Sequence, residues 1–160
     1  MTISVGDTIP SVTLKALGAD GMEDVSTDSL FKGKKVVMFS LPGAYTPTCS
    51  AKHLPGFVAE AAAFSAKGYD IICLAWNDPF VMKAWGKENG ADGKVFMLPD
   101  GNGIFTKALG LEQDLSAHGL GTRGQRFALV AEDGVVKTLN VEAPGAFEVS
   151  SAEAMLKALG

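Results

Sequence analysis

The sequence predicts an α/β domain with a mostly parallel central sheet. Three observations lead there. Short apolar runs alternate along the chain with amphipathic stretches of helical spacing. Turn signals bracket those runs, with Asp133-Gly134 between two of them as the clearest hairpin mark. No internal repeat, low-complexity stretch or Pro/Gly/Ser-rich linker divides the 160 residues, so one domain over 1–160 is expected.

The elements follow in order. Residues 12–17 and 22–26 can pair as an N-terminal β-hairpin around Gly18-Ala19-Asp20-Gly21. Lys35-Val36-Val37-Met38-Phe39-Ser40 reads as a buried strand, and residues 70–76 and 95–98 read as two more. Residues 126–131 and 135–141 complete the set across the Asp133-Gly134 turn. Helices are expected over 47–67, 79–89, 103–109 and 151–159. Asp78 can cap the second, with Pro79 at its first position. Ser150-Ser151-Ala152-Glu153 has the pattern of a capping box for the last.

Composition narrows the function. Hydrophobic residues make up 47% and charged residues 20%, the balance of a globular chain. A net charge of −4 gives no electrostatic case for nucleic acid or an anionic membrane. No apolar run is long enough to span a bilayer. Met1-Thr2-Ile3-Ser4-Val5-Gly6-Asp7 has neither the basic nor the apolar region of a signal peptide, so a cytoplasmic location is expected. Two cysteines make no disulfide framework and, with two histidines, a thin inventory for a metal site; none is expected.

Chemistry concentrates at Leu41-Pro42-Gly43-Ala44-Tyr45-Thr46-Pro47-Thr48-Cys49-Ser50, where a strand hands over to a helix. Helix N-termini present unpaired N–H groups and partial positive charge. A thiol in that first turn loses its proton more readily and becomes a nucleophile. With Thr46 as N-cap and Pro47 first, Cys49 is third, so Thr46 and Cys49 should be close.

Other residues carry two readings each. Cys73, inside Ile71-Ile72-Cys73-Leu74-Ala75, is either a core thiol or a resolving cysteine for Cys49. A disulfide needs Cα atoms within about 7 Å, and a mid-strand position makes that demand hard to meet. His53 follows Cys49 by four residues and offers a Cys-His dyad or two zinc ligands. The plainer expectation puts it on the helix surface. Arg126, at the start of an apolar strand and near Arg123, is either half of a structural salt bridge or a cation beside the thiolate.

Pro42-Gly43-Ala44-Tyr45-Thr46-Pro47-Thr48-Cys49 resembles the peroxidatic motif of peroxiredoxins, Pro-x-x-x-Thr-x-x-Cys. Ser50-Ala51-Lys52-His53-Leu54-Pro55-Gly56-Phe57 is similar to the atypical type-II branch, as are residues 77–85, Arg126-Phe127-Ala128-Leu129 and the opening Val5-Gly6-Asp7-Thr8-Ile9-Pro10. The resemblance implies a thioredoxin-like fold, with a central mixed sheet flanked by helices. It implies a peroxidase without metal or prosthetic group, acting on hydrogen peroxide and alkyl hydroperoxides. On this pattern Cys49 is the peroxidatic cysteine, which becomes a sulfenic acid. Thr46 and Arg126 hydrogen-bond and polarise peroxide and thiolate, Pro42 shields the site, and the amides of Gly43 and Cys49 position the peroxide. Some members carry a resolving cysteine near the C-terminus, but Glu148-Val149-Ser150-Ser151-Ala152 has none. The chain is therefore closer to plant and bacterial members recycled by glutathione and glutaredoxin, with thioredoxin serving in some. The resemblance also implies a homodimer. A redox sensor that relays oxidation to a partner is the alternative on the same fold.

Overall fold

In the computed structural model, residues 1–160 are described, except for the side chains of Cys49 and Ser50. The N-terminal hairpin forms as expected, with β1 (Thr13–Gly18) antiparallel to β2 (Gly21–Ser26). A short helix, α1 (Thr27–Phe31), follows and is capped by Ser26, whose hydroxyl accepts from the Ser29 amide. The central sheet contains β3 (Lys35–Leu41), β4 (Tyr69–Ala75), β5 (Phe96–Pro99), β8 (Phe127–Glu132) and β9 (Val135–Val141). Its order is β5-β4-β3-β8-β9.

The sheet is mixed, as the resemblance implied, rather than mostly parallel. The β3–β4 and β4–β5 pairings are parallel; β3–β8 and β8–β9 are antiparallel. For β8 and β9 the reason is the tight turn between them. Asp133 (φ 50°) and Gly134 (φ 76°) both take positive φ, as a two-residue hairpin turn requires. A crossover helix would be needed to keep the next strand parallel.

Both faces of β3 are buried, which explains its unbroken apolar run. Val37, Phe39 and Leu41 face one core with Phe57, Phe64, Met82, Trp85 and Met155. Val36 and Met38 face the other with Phe31, Phe105, Leu109 and Leu129. The first core lies under α2 (Leu54–Ala59), α3 (Ala61–Ala66), α4 (Pro79–Glu88) and α6 (Ala152–Leu159). The second is covered by α1 and α5 (Ile104–Leu109).

Three local expectations are corrected. The single helix over 47–67 is broken. A π-helical turn, Cys49–His53, precedes α2, and Glu60 separates α2 from α3. Pro55 explains the first break, because it has no N–H for the carbonyl four residues back and its ring collides with that carbonyl. A wider π turn relieves both problems. Second, α6 is capped by Ser151, whose hydroxyl accepts from the Ala154 amide, and not by Ser150. Third, a two-stranded ribbon of β6 (Glu112–Asp114) and β7 (Thr122–Gly124) occupies a stretch with no strand pattern. Asp78 does cap α4, accepting from the Val81 amide at 2.9 Å, with Pro79 in the first turn.

Candidate active site

The loops that carry the sequence-predicted residues leave the carboxyl ends of the parallel strands β3 and β4, where open α/β sheets place their ligands. Residues 42–46 follow β3. Asn77, just past β4, accepts the Ala44 amide on its side-chain oxygen at 2.9 Å. The Thr46 hydroxyl donates to the Gly43 carbonyl at 2.8 Å. That uses its proton and leaves its lone pairs as acceptors. Tyr45 closes the turn in the left-handed region, φ 66°, an uncommon conformation for a bulky residue. The helix begins at Pro47, as the cap reading requires. The side chain of Cys49 lies outside the described residues, so its predicted contact with Thr46 does too.

Arg123 locks this corner. Its Nη1 donates to the carbonyls of Trp76 at 3.3 Å and Pro42 at 3.5 Å, and its Nε donates to Leu120 at 3.0 Å. It thereby ties the ends of β3 and β4 to the β6–β7 ribbon. Gly43 makes room for it, since a Cβ there would sit 2.7 Å from Arg123 Nη1. Gly43→Ala should push the guanidinium off both carbonyls while the fold survives. We expect a loss of about 1–2 kcal/mol, read as a fall in Tm of roughly 3–6 °C. An unchanged melting curve would show that Arg123 does not brace this corner.

Arg126 is half-buried immediately before β8. Its Nη1 lies 2.7 Å from Nδ1 of His53, and its guanidinium carbon sits 5.7 Å from the centre of the Phe147 ring. His53 was expected on a helix surface; it is fully buried instead. The imidazole packs among Phe39 (4.8 Å between ring centres), Phe147 (5.0 Å) and Phe57 (5.7 Å). Its Nε2 lies 3.0 Å from the Ser150 carbonyl, an acceptor only, so Nε2 carries the proton. Nδ1 is then an acceptor and takes the Arg126 N–H. Burial first, and the Arg126 charge second, lower the His53 pKa to about 3, against the Ser150 hydrogen bond that favours the cation. His53 is neutral at every ordinary pH.

Glu142 holds the loop that supplies Ser150 and Phe147. One carboxylate oxygen accepts from the amides of Glu148 (2.8 Å), Val149 (2.9 Å) and Ser150 (2.8 Å) and from the Ser150 hydroxyl (2.6 Å). Burial alone would raise its pKa, but those four donors outweigh it and hold the carboxyl below its usual range. Ser150 is therefore drawn to Glu142, which is why the cap of α6 falls to its neighbour.

A small cleft of about 130 Å³ joins these pieces. Pro42, Thr48, Gln125, Arg126, Glu142 and Pro144 are among its lining residues. It brings Pro42 and Arg126 together beside the turn that carries Cys49. A larger cleft, about 680 Å³, opens at the opposite end of the sheet near Lys34, Tyr69 and Val95. It holds none of the sequence-predicted site residues, so the smaller cleft is the candidate site. Cys73 is fully buried in β4, paired with Phe39 on one side and Met97 on the other. Sequence reasoning missed Asn77, Glu142, Ser150 and Phe147, whose roles come from contacts between distant segments. For His53 a signal existed: a proline two residues on, which predicts a distorted turn.

Residues 4–156 match the Redoxin family. The chain is 52% identical to Peroxiredoxin-2E, chloroplastic, of Arabidopsis thaliana, over 99% of this chain and 70% of that one. The chain belongs to the peroxiredoxins of the redoxin family. Peroxiredoxin-2B of the same plant is 50% identical over 98% of both chains. The structure of reduced Prx3 from Vibrio vulnificus in complex with hydrogen peroxide superposes with a TM-score of 0.95 at 51% identity, covering 99% of this chain and 100% of that one. The type-II resemblance and the thioredoxin-like fold are thus borne out, and this peroxiredoxin is a peroxidase. Among the described residues no helix is long and apolar enough to cross a membrane.

Proposed function

We propose that this peroxiredoxin reduces hydrogen peroxide and organic hydroperoxides at Cys49 and is recycled by glutathione and glutaredoxin. The observation that carries the reading is the cleft shared by Pro42 and Arg126 beside the Cys49 turn. The Cys49 thiolate attacks one peroxide oxygen, an S–O bond forms, and the O–O bond breaks. The electron pair of that bond leaves on the distal oxygen, which takes a proton to become water or an alcohol. Negative charge grows on that oxygen, where the Arg126 guanidinium stabilises it without reorganising. Thr46 accepts from the peroxide O–H, because its own proton is committed to Gly43. Pro42 lines the cleft and shields it, and the Gly43 amide helps position the peroxide. No resident cofactor or metal is needed for this chemistry.

Glutathione then attacks the sulfenic acid, forms a mixed disulfide and releases water. A second thiol, from glutaredoxin, reduces that disulfide and regenerates Cys49. The burial of Cys73 supports an outside thiol, since a bridge to Cys49 would need β4 to open. Recycling by glutathione and glutaredoxin favours a cytoplasmic location. Exposed Tyr45, on the loop after β3, and Phe80, in the first turn of α4, favour a homodimer formed over this face.

The decisive assay supplies hydrogen peroxide with glutathione plus glutaredoxin, or with thioredoxin plus its reductase. Sustained turnover is expected in the first system, and Cys73→Ala should stay within about twofold of the native rate. Turnover with thioredoxin alone, lost in Cys73→Ala, would make Cys73 the resolving cysteine and refute this recycling route.

A further inference from the structure

We propose that the cleft at the amino ends of β3 and β4, at the opposite end of the sheet from the Cys49 turn, binds an amphipathic carboxylate: an apolar chain that ends in a single negative charge. Its volume, about 680 Å³, lies in the range of small-molecule sites. The cleft exists because the sheet is incomplete there. β4 pairs with β3 from Tyr69 onward, but β5 joins it only from Ile72. Residues 93–96, on the approach to β5, line the far side of that gap. α2 and α3 supply a third wall, where the small side chains of Ala59, Ala61 and Ala62 leave the space unfilled.

Two kinds of lining residue select the ligand. Leu30, Val58, Ile71, Val95 and Phe96 offer apolar surface, and Phe96 is left 40% exposed. An apolar chain laid against them removes water from both partners. Lys34 and Lys94 add charge at the same cleft. Both stand on fixed backbone. The Lys34 amide donates to the Phe31 carbonyl at 3.2 Å, and its carbonyl accepts from the Asp133 amide at 2.9 Å. The Lys94 amide donates to the Ala91 carbonyl at 2.9 Å. Among the described residues the ion pairs engage other lysines, Lys15, Lys32 and Lys157, so neither ammonium group at the cleft has a carboxylate partner. Asp70 lines the cleft too, which leaves two cations to one anion and a net attraction for one negative charge. A lysine stem lies along apolar surface while its ammonium reaches a polar group, so the same cleft meets both the chain and the head.

Equilibrium dialysis of the whole chain against radiolabelled decanoate, kept below its micelle concentration, tests this. Saturable binding at one site per chain is expected. Unlabelled octanoate should compete roughly tenfold less well than decanoate, because each buried methylene is worth up to roughly fourfold in affinity. Lys34→Ala/Lys94→Ala should weaken decanoate binding by roughly three- to tenfold. Ala62→Phe, which fills the cleft, should abolish it, and Ser65→Phe carries the same comparison if that variant does not fold. All of these variants should keep the native rate of peroxide consumption, which is set at the other end of the sheet. No saturable binding up to millimolar decanoate would overturn the proposal. Undiminished binding in Ala62→Phe would do the same, by placing the ligand elsewhere. Equal competition by 1-decanol or decyltrimethylammonium would remove recognition of the negative head and overturn it too. If Ala62→Phe instead shifted the protein to a smaller assembly in sedimentation, the cleft would be a contact between copies and the proposal wrong.

Discussion

Cys49→Ser should drop peroxide consumption to the uncatalysed background, a fall of roughly 10³-fold or more, or about 4 kcal/mol of barrier. The physical reason is protonation. A serine hydroxyl stays protonated at neutral pH, whereas a thiol in a helix's first turn is drawn toward thiolate by the unpaired N–H groups there. Nothing else in the cleft can replace it. In the proposed mechanism Arg126 stabilises charge and Thr46 accepts a hydrogen bond from the peroxide, but neither supplies the electron pair that forms the new S–O bond. Rapid mixing of reduced protein with hydrogen peroxide, followed by the loss of peroxide, measures this directly. A serine variant that still consumed peroxide at the native rate would remove Cys49 from the centre of the mechanism.

Acidification should destabilise the fold well before its carboxylates titrate. His53 has a pKa lowered from 6.5 to about 3 in the folded protein. Below pH 6.5 the unfolded chain takes up this proton and the folded protein does not. The stabilisation is therefore complete above 6.5 and is lost as pH falls toward 3. At about 1.4 kcal/mol per pH unit the ceiling is about 5 kcal/mol. Glu142 acts in the same direction but lower. Its pKa is depressed from 4.5, so its contribution is present above that value and is lost as pH falls below it. The interval from pH 6.5 to 4.5 thus reports His53 ahead of Glu142. Over it, Tm should fall by roughly 3–5 °C per pH unit in the native protein and should stay nearly flat in His53→Gln. Equal slopes in the two proteins would mean that His53 is not the group responsible.

What could be read in advance was local. β3 and β4 announce themselves through unbroken apolar runs, because central strands bury both faces. Asp78-Pro79 starts α4 where a cap and a proline say it should. The hairpin at Asp133-Gly134 follows from two residues that tolerate positive φ. The cysteine at the strand-to-helix junction marks the proposed reacting group. The ribbon of β6 and β7 left no trace, since Glu112-Gln113-Asp114 has neither alternation nor apolar character. It is held by pairing with β7 and by the contacts of Arg123. The break between the π turn and α2 needed only Pro55 to be weighed as a helix breaker.

The burial of His53 is different in kind. Its partners, Arg126 and Ser150, are 73 and 97 residues away in sequence. Period and spacing report which side of an element faces the core, but not which loop from another part of the chain will cover it. Four donors gathered on Glu142 decide where residues 148–150 run, and that path decides what His53 meets. The sequence by itself determined the candidate nucleophile, the family and most of the sheet, because each depends on short-range pattern. Only the tertiary structure decided how the arginine is held, because that depends on hydrogen bonds that no neighbouring residue can make.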